Sequence, residues 1–156
     1  MYIHICGIAD VVSPIKIAIV IPDFEMETSK MRAALPREIP MRDAIFNMQR
    51  TALLQAAISE GRYELLTEAL RDRIHQPYRA PLVPALSEVL KLNQEREQYP
   101  GLLGVAISGA GSTMIAFTLG DCGTIAQAMK ARIEDCGISA RTMPVTVDNQ
   151  GRTIQE

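Results

Sequence analysis

The chain has 156 residues, enough for one domain around one core. Its 47% hydrophobic content is ordinary for a globular protein, and a net charge of −2 with Lys and Arg spread along the sequence leaves no basic footprint for nucleic acid. No apolar run approaches the roughly 20 residues that span a bilayer, since the longest, Ile15 to Ile21, carries Lys16 and stops at Pro22. Residues 1–14 read as a leader or an extra strand, and 15–156 as one domain. The opening Met1-Tyr-Ile-His-Ile-Cys-Gly lacks the basic start and long apolar centre of a signal peptide, so a cytosolic location is expected.

Lys16-Ile-Ala-Ile-Val-Ile is a predicted strand between Pro14 and Pro22. Thr28, a good N-cap residue, is expected to open a short helix that Pro36 ends. A long helix is predicted from about Arg42 to Ser59. It is apolar nearly all round apart from the stripe Asp43, Asn47 and Arg50, so it is expected to be largely buried. Gly61 fits its stop. Tyr63 to Ile74 reads as a third helix with Glu64, Glu68, Arg71 and Asp72 facing water. Pro77 and Pro81 break the chain, and Pro84 suits the first turn of a fourth helix running to about Gln98.

Two strand-like runs follow, Leu102 to Ile107 and Met114 to Phe117, joined by Ser108-Gly109-Ala110-Gly111-Ser112-Thr113. Glycines there are ordinary hairpin residues, but they also let backbone N–H groups turn outward to cradle an anion such as phosphate. In the last predicted helix Ile125, Ala128, Met129, Ile133 and Cys136 share one face. Thr124 and Gln127 fit a capping box there, and Gly137 fits the stop. A final strand is predicted over Ala140 to Val147, with Pro144 requiring an edge position or a bulge. Cys6, Cys122 and Cys136 form no CxxC or Cys/His cluster, so no metal site is expected. Cys122 and Cys136 bracket a helix of about 20 Å, at ~1.5 Å per residue, too long for a disulfide between them.

This order of elements predicts an α+β fold. It is the ferredoxin-like split β-α-β sandwich with extra helices in the first crossover, four strands packing one face against helices. Three segments could carry chemistry. Thr28 and Arg32, four apart on the short helix, read as an N-cap with a solvated arginine or as an anion site. Asp72-Arg73-Ile74-His75-Gln76-Pro77-Tyr78-Arg79 reads as a surface turn with a helix-dipole histidine or as a held arginine suited to bidentate carboxylate recognition. Asp43, Asn47 and Arg50 read as a solvated or inter-helix hydrogen-bonded face.

The Pro-Asp-Phe-Glu strand end with Thr28 and Arg32, the Phe46-Asn47 helix, His75-Gln-Pro-Tyr-Arg79 and the Ser-Gly-Ala-Gly loop occur together in this order. In this they resemble the C-terminal half of homoserine kinase, of the GHMP kinase superfamily. The resemblance implies phosphorylation of L-homoserine by ATP on the way to threonine. It implies that Arg32 and Arg79 hold the amino-acid carboxylate, with His75 near the substrate and Thr28 close to the transferred phosphoryl group. The loop residues Ser108, Gly109, Gly111 and Thr113 would abut the ATP phosphates. Ser112 stands where the family usually has proline, a change worth about 0.4–1 kcal/mol of loop stiffness. The family's N-terminal half, which carries the ATP loop and the Mg2+ ligands, has no counterpart in this sequence. The chain alone is therefore expected to bind neither cofactor and to lack kinase activity. An apolar face left by the absent half would favour a homodimer. The alternative is a stand-alone ferredoxin-like module that binds an amino acid or dimerises without catalysis. A kinase of the same superfamily acting on another carboxylate substrate, such as mevalonate, is a third possibility.

Overall fold

The computed structural model describes residues 15–145 and 147. The reading of residues 1–14 lies outside them. Four strands, β1 (Lys16–Pro22), β2 (Leu102–Ile107), β3 (Met114–Thr118) and β4 (Ala140–Val145), form one antiparallel sheet in the order β2-β3-β1-β4. This is the order of the split β-α-β sandwich. Among the described residues β4 lies at an edge and pairs only with β1, the position Pro144 demands.

Strand alternation sends Ala18, Val20, Val105, Ile107, Met114 and Ala116 to one face. There they pack on Met31 of α1 (Thr28–Ala33), on Leu86 and Val89 of α5 (Leu86–Leu90), and on Ile125, Met129 and Ile133 of α6 (Cys122–Glu134). The back face is covered as well. Ile17, Leu103 and Phe117 are covered by Leu54 of α2 (Met41–Ser59), by Tyr63, and by Leu66 of α3 (Leu66–Ala69).

Several helices depart from the sequence expectation. α6 is capped by Asp121, whose carboxylate accepts from the N–H of Gly123 at 3.3 Å and of Thr124 at 2.8 Å, in place of a Thr124–Gln127 box. Thr28 is the first helical residue of α1, not its cap; Glu27 holds the cap position without a side-chain bond to the helix backbone N–H groups. The third helix stops after α3. The chain restarts as α4 (Gln76–Arg79), because the Asp72 carboxylate turns inward onto the backbone N–H groups ahead. The fourth begins only at Leu86, since Ala85 takes a left-handed φ of 66°. It ends at Leu90 and gives way to 3-10 turns at Lys91–Asn93 and Arg96–Gln98. Cys122 is half-buried and Cys136 exposed, and both are free.

α2 inverts its expected burial. Its only buried residue is Ala57, while Met41 and Met48 are 74% and 70% exposed. The polar stripe instead faces the protein. Asp43 accepts from Arg73 at 3.3 Å, Asn47 donates to Asp72 at 2.6 Å, and Arg50 pairs with Glu68. Phe46 lies between the guanidinium groups of Arg50 and Arg73, 4.0 and 3.9 Å from its ring centre.

The outer edge of β2 is satisfied by side chains from the crossover. Thr67 donates to the Leu103 carbonyl at 2.6 Å. The Asn93 amide accepts from Val105 N–H at 2.8 Å and donates to Val105 C=O at 2.9 Å. Gln76 accepts from Ile107 N–H at 3.0 Å. Replacing Asn93 by Ala strands both groups of a fully buried residue. The expected cost is about 1–3 kcal/mol, read as a lower urea midpoint; an unchanged midpoint would show that water replaces the amide without penalty.

Candidate functional site

The site is organised by Asp72, whose side chain is only 6% exposed. Its carboxylate accepts from the N–H groups of Ile74 at 3.0 Å, His75 at 3.1 Å and Gln76, and from the Asn47 amide at 2.6 Å. Burial pushes this carboxyl up. The bonds from Gln76, Ile74 and Asn47, helped by the nearby His75, outweigh burial and hold it below the ordinary aspartate value. Asp72 is thus an inward anchor, not a water-facing residue. It starts α4 and fixes the direction in which His75 and Arg79 leave it.

Gln76 is buried, and its bond to Ile107 ties α4 to the last residue of β2, just before the glycine loop. Arg79 then reaches the loop directly, donating from Nη1 to the Gly109 carbonyl at 2.8 Å. The same Nη1 lies 3.5 Å from His75 Nδ1, and His75 Nε2 lies 3.5 Å from the Asp72 carboxylate. An arginine only donates, so this geometry suits a neutral histidine with its proton on Nε2 facing Asp72. Burial pulls the His75 pKa down; Asp72 opposes the shift and the Arg79 cation adds to it, leaving it below its ordinary value. Arg79 Nε is buried and has no acceptor among the described residues.

The loop from Ser108 to Thr113 is closed by bonds from Ser108 N–H to the Thr113 carbonyl and from Gly111 N–H to the Ser108 carbonyl, at 2.8 and 3.1 Å. Among the described residues, the N–H groups of Gly109, Ala110 and Ser112 have no backbone partner, which suits an anion. Gly111 has φ 99°, and a Cβ there would meet Ile107 Cδ1 at 2.7 Å and Met31 Cε at 3.5 Å. Both facts favour glycine at this position.

That last contact brings α1 to the loop. Thr28 and Arg32, on the same short helix as Met31, are exposed, and their side chains make no hydrogen bond or ion pair among the described residues. The structure therefore joins His75, Arg79 and the loop by direct contact. Thr28 and Arg32 connect to them only through the packing of Met31. A cleft of about 870 Å³ opens on another side of the loop, between Asp23, Met26, Lys30, Ser112, Ser139 and Arg141, and touches none of His75, Arg32 and Arg79. Among the described residues, no group of three or more His, Cys, Asp or Glu side chains is placed to hold a metal ion.

Residues 54–135 match the family model for the C-terminal domain of GHMP kinases. The chain belongs to the GHMP kinase C-terminal family. It is 39% identical over 141 residues to the homoserine kinase of Persephonella marina, covering 90% of this chain and 46% of that protein. It is 41% identical over 138 residues to the homoserine kinase of Aquifex aeolicus, covering 88% and 45%. The fold matches a crystal structure of homoserine kinase from Cytophaga hutchinsonii with a TM-score of 0.83 and 27% identity, over 92% of this chain and 45% of that one. This GHMP kinase domain thus spans slightly less than half the length of the relatives it matches.

Sequence reasoning placed Asp72 and Gln76 in the same segment as His75 and Arg79 but gave neither the role of holding them. The available signal was an aspartate just before a new helical turn, a pattern in which its carboxylate takes the N–H groups that follow. Replacing Asp72 by Ala leaves those groups unpaired, at an expected cost of about 1–3 kcal/mol near neutral pH. The folded-state pKa of Asp72 is depressed, so the wild-type advantage is present above the ordinary value of 3.8 and is lost as pH falls below it. His75 also has a depressed pKa, but as a base. The unfolded chain then binds the proton more readily, so its contribution to stability is lost as pH falls below 6.5. Urea midpoints of Asp72→Ala, His75→Gln and wild type across pH check both windows; parallel wild-type and His75→Gln curves through the upper window would contradict the second.

Proposed function

We propose that this chain is the C-terminal half of a homoserine kinase, acting in the cytoplasm in the route to threonine. The reaction passes the terminal phosphoryl group of ATP to the side-chain hydroxyl of L-homoserine, giving O-phospho-L-homoserine. The supporting observation is the 2.8 Å bond from Arg79 to the Gly109 carbonyl, which sets a cation suited to a carboxylate beside a loop suited to phosphate.

In this proposal Arg32 and Arg79 hold the homoserine carboxylate. The unused Nε of Arg79 supports the assignment, because a buried donor without a partner is costly until an acceptor arrives. His75 lies against the substrate as a neutral ring. Thr28 sits near the transferred group, and Ser108, Gly109, Gly111 and Thr113 border the phosphates with their backbone. ATP and Mg2+ supply the phosphoryl group and its charge neutralisation. Their ligands belong to the other half of the kinase, so the chain alone is inactive. Phosphoryl transfer depends on positioning and charge more than on covalent help, which matches a half that supplies substrate clamps and no nucleophile.

A charge-assisted bond to a carboxylate is worth about 1.5–3 kcal/mol. Changing the arginine matched to Arg79 to alanine in an intact relative should therefore raise the homoserine KM about 10- to 150-fold, with a smaller effect on kcat. Unchanged steady-state kinetics would remove Arg79 from the substrate site.

A further inference from the structure

An arginine side chain carries five N–H donors, and the fold uses only one corner of Arg79. Its Nη1 donates to the Gly109 carbonyl at 2.8 Å and lies 3.5 Å from His75 Nδ1. Nε and Nη2 make no hydrogen bond among the described residues, and Nε is buried. The guanidinium is planar, so two acceptors at one corner fix the plane of the whole group. The edge left over, Nε with Nη2, is one that meets both oxygens of a carboxylate.

One form of His75 permits this arrangement. Arginine has no lone pair to offer, so Nδ1 must keep its own and the ring proton must sit on Nε2. Nε2 lies 3.5 Å from an oxygen of Asp72, a carboxylate that accepts and does not donate. The other neutral tautomer sets a ring N–H against an N–H of Arg79 and a ring lone pair against the carboxylate. The doubly protonated ring keeps its contact with Asp72 but again opposes N–H to N–H at Arg79. Asp72 cannot turn to follow the ring, because its oxygens already accept from the N–H groups of Ile74, His75 and Gln76 and from Asn47. No other charge competes for the ring. Asp43 and Arg50 of α2 are paired with Arg73 and Glu68, and the charged groups that act on His75 are Asp72 and Arg79.

We propose that Asp72 is a positioning residue: by holding the His75 proton on Nε2 it makes Nδ1 an acceptor for Arg79, and so presents the Nε–Nη2 edge of Arg79 to the carboxylate of the substrate. The substrate in this statement rests on the homoserine kinase reading; the order Asp72, His75, Arg79 rests on the geometry alone. A carboxylate selects the tautomer of a histidine in the same manner in hydrolase triads. Charging the ring undoes the arrangement. Burial and the Arg79 cation hold the His75 pKa below its ordinary value against the pull of Asp72, so the neutral ring prevails near neutral pH and is lost only as pH falls below 6.5.

Nitrogen NMR of the full chain tests this, with the His75 ring signals assigned by their absence from His75→Gln. Above the titration of the ring, the spectrum should show a protonated Nε2 and a bare Nδ1. As pH falls, the Arg79 Nε–H resonance should move in step with the ring. Acetate, the probe for the open edge, should shift that resonance while the ring is neutral and lose its effect once the ring is charged. Asp72→Asn puts an N–H where one carboxylate oxygen stood; it should move the ring proton to Nδ1 and abolish the acetate response. If that variant does not fold, the wild-type titration decides by itself. A wild-type ring protonated on Nδ1, an Arg79 signal that stays still while the ring titrates, or an Arg79 edge indifferent to acetate would each overturn the positioning role. Homoserine kinetics of an intact relative with its counterpart of Arg79 changed to alanine read the substrate separately. An unchanged KM there, beside the expected spectra here, keeps the positioning role and counts against the kinase reading.

Discussion

The free edge of β2 is the constraint on which the site depends. An edge strand presents unpaired N–H and C=O groups, and one whose residues are buried cannot leave them to water. Here Thr67, Asn93 and Gln76 do what a neighbouring strand would, meeting Leu103, Val105 and Ile107 in turn. The three come from turns and short helices that would otherwise have no fixed place. The last of them, Gln76, meets β2 at its end, one residue before the glycine loop begins. The strand edge thereby sets the distance between the His75–Arg79 turn and the loop, and the Arg79–Gly109 bond is the result.

Asp72 adds direction to that distance. A carboxylate receiving three backbone N–H groups defines the first turn of α4, and the fourth donor, Asn47, fastens the turn to α2. The site is therefore built on a buried polar junction between sheet, turn and helix. Such a junction fixes geometry more sharply than apolar packing, because a misplaced member leaves an unpaired polar group in the interior. It also explains why α2 shows its apolar side to solvent: its polar side is already committed.

The strands, the glycine loop and α6 were legible in the sequence because their signals are local. Ile17 to Ile21 form an apolar run between Pro14 and Pro22, glycines stand at the hairpin, and apolar residues recur at helical spacing from Ile125 to Ile133. The broken crossover was not legible. Tyr63 to Ile74 and Pro84 to Gln98 have helical composition, and what breaks them is a set of bonds to a strand 12 to 36 residues away in sequence or to a carboxylate that turns inward. The burial of α2 was misjudged for a related reason. Periodicity reveals that a helix has two faces but not which one meets the protein. The partners that decide it, Glu68, Asp72 and Arg73, lie in another segment. At the site, His75 and Arg79 stood out as residue types, while Gln76 and Asp72 looked ordinary, since holding a strand end or a turn leaves no distinctive spacing.

The central physical claim is that Gln76 transmits the position of the β2 edge to Arg79 and the loop. Amide hydrogen exchange and arginine side-chain NMR on the isolated chain, wild type against Gln76→Leu, test it most directly. The expected result is strong protection of the Ile107 amide in wild type, its loss in the variant, and a concurrent shift of the Arg79 Nε and Gly109 resonances. Loss of protection at Ile107 with Arg79 and Gly109 unmoved would mean that the turn finds the loop without the strand, contradicting a role for Gln76 in setting their distance.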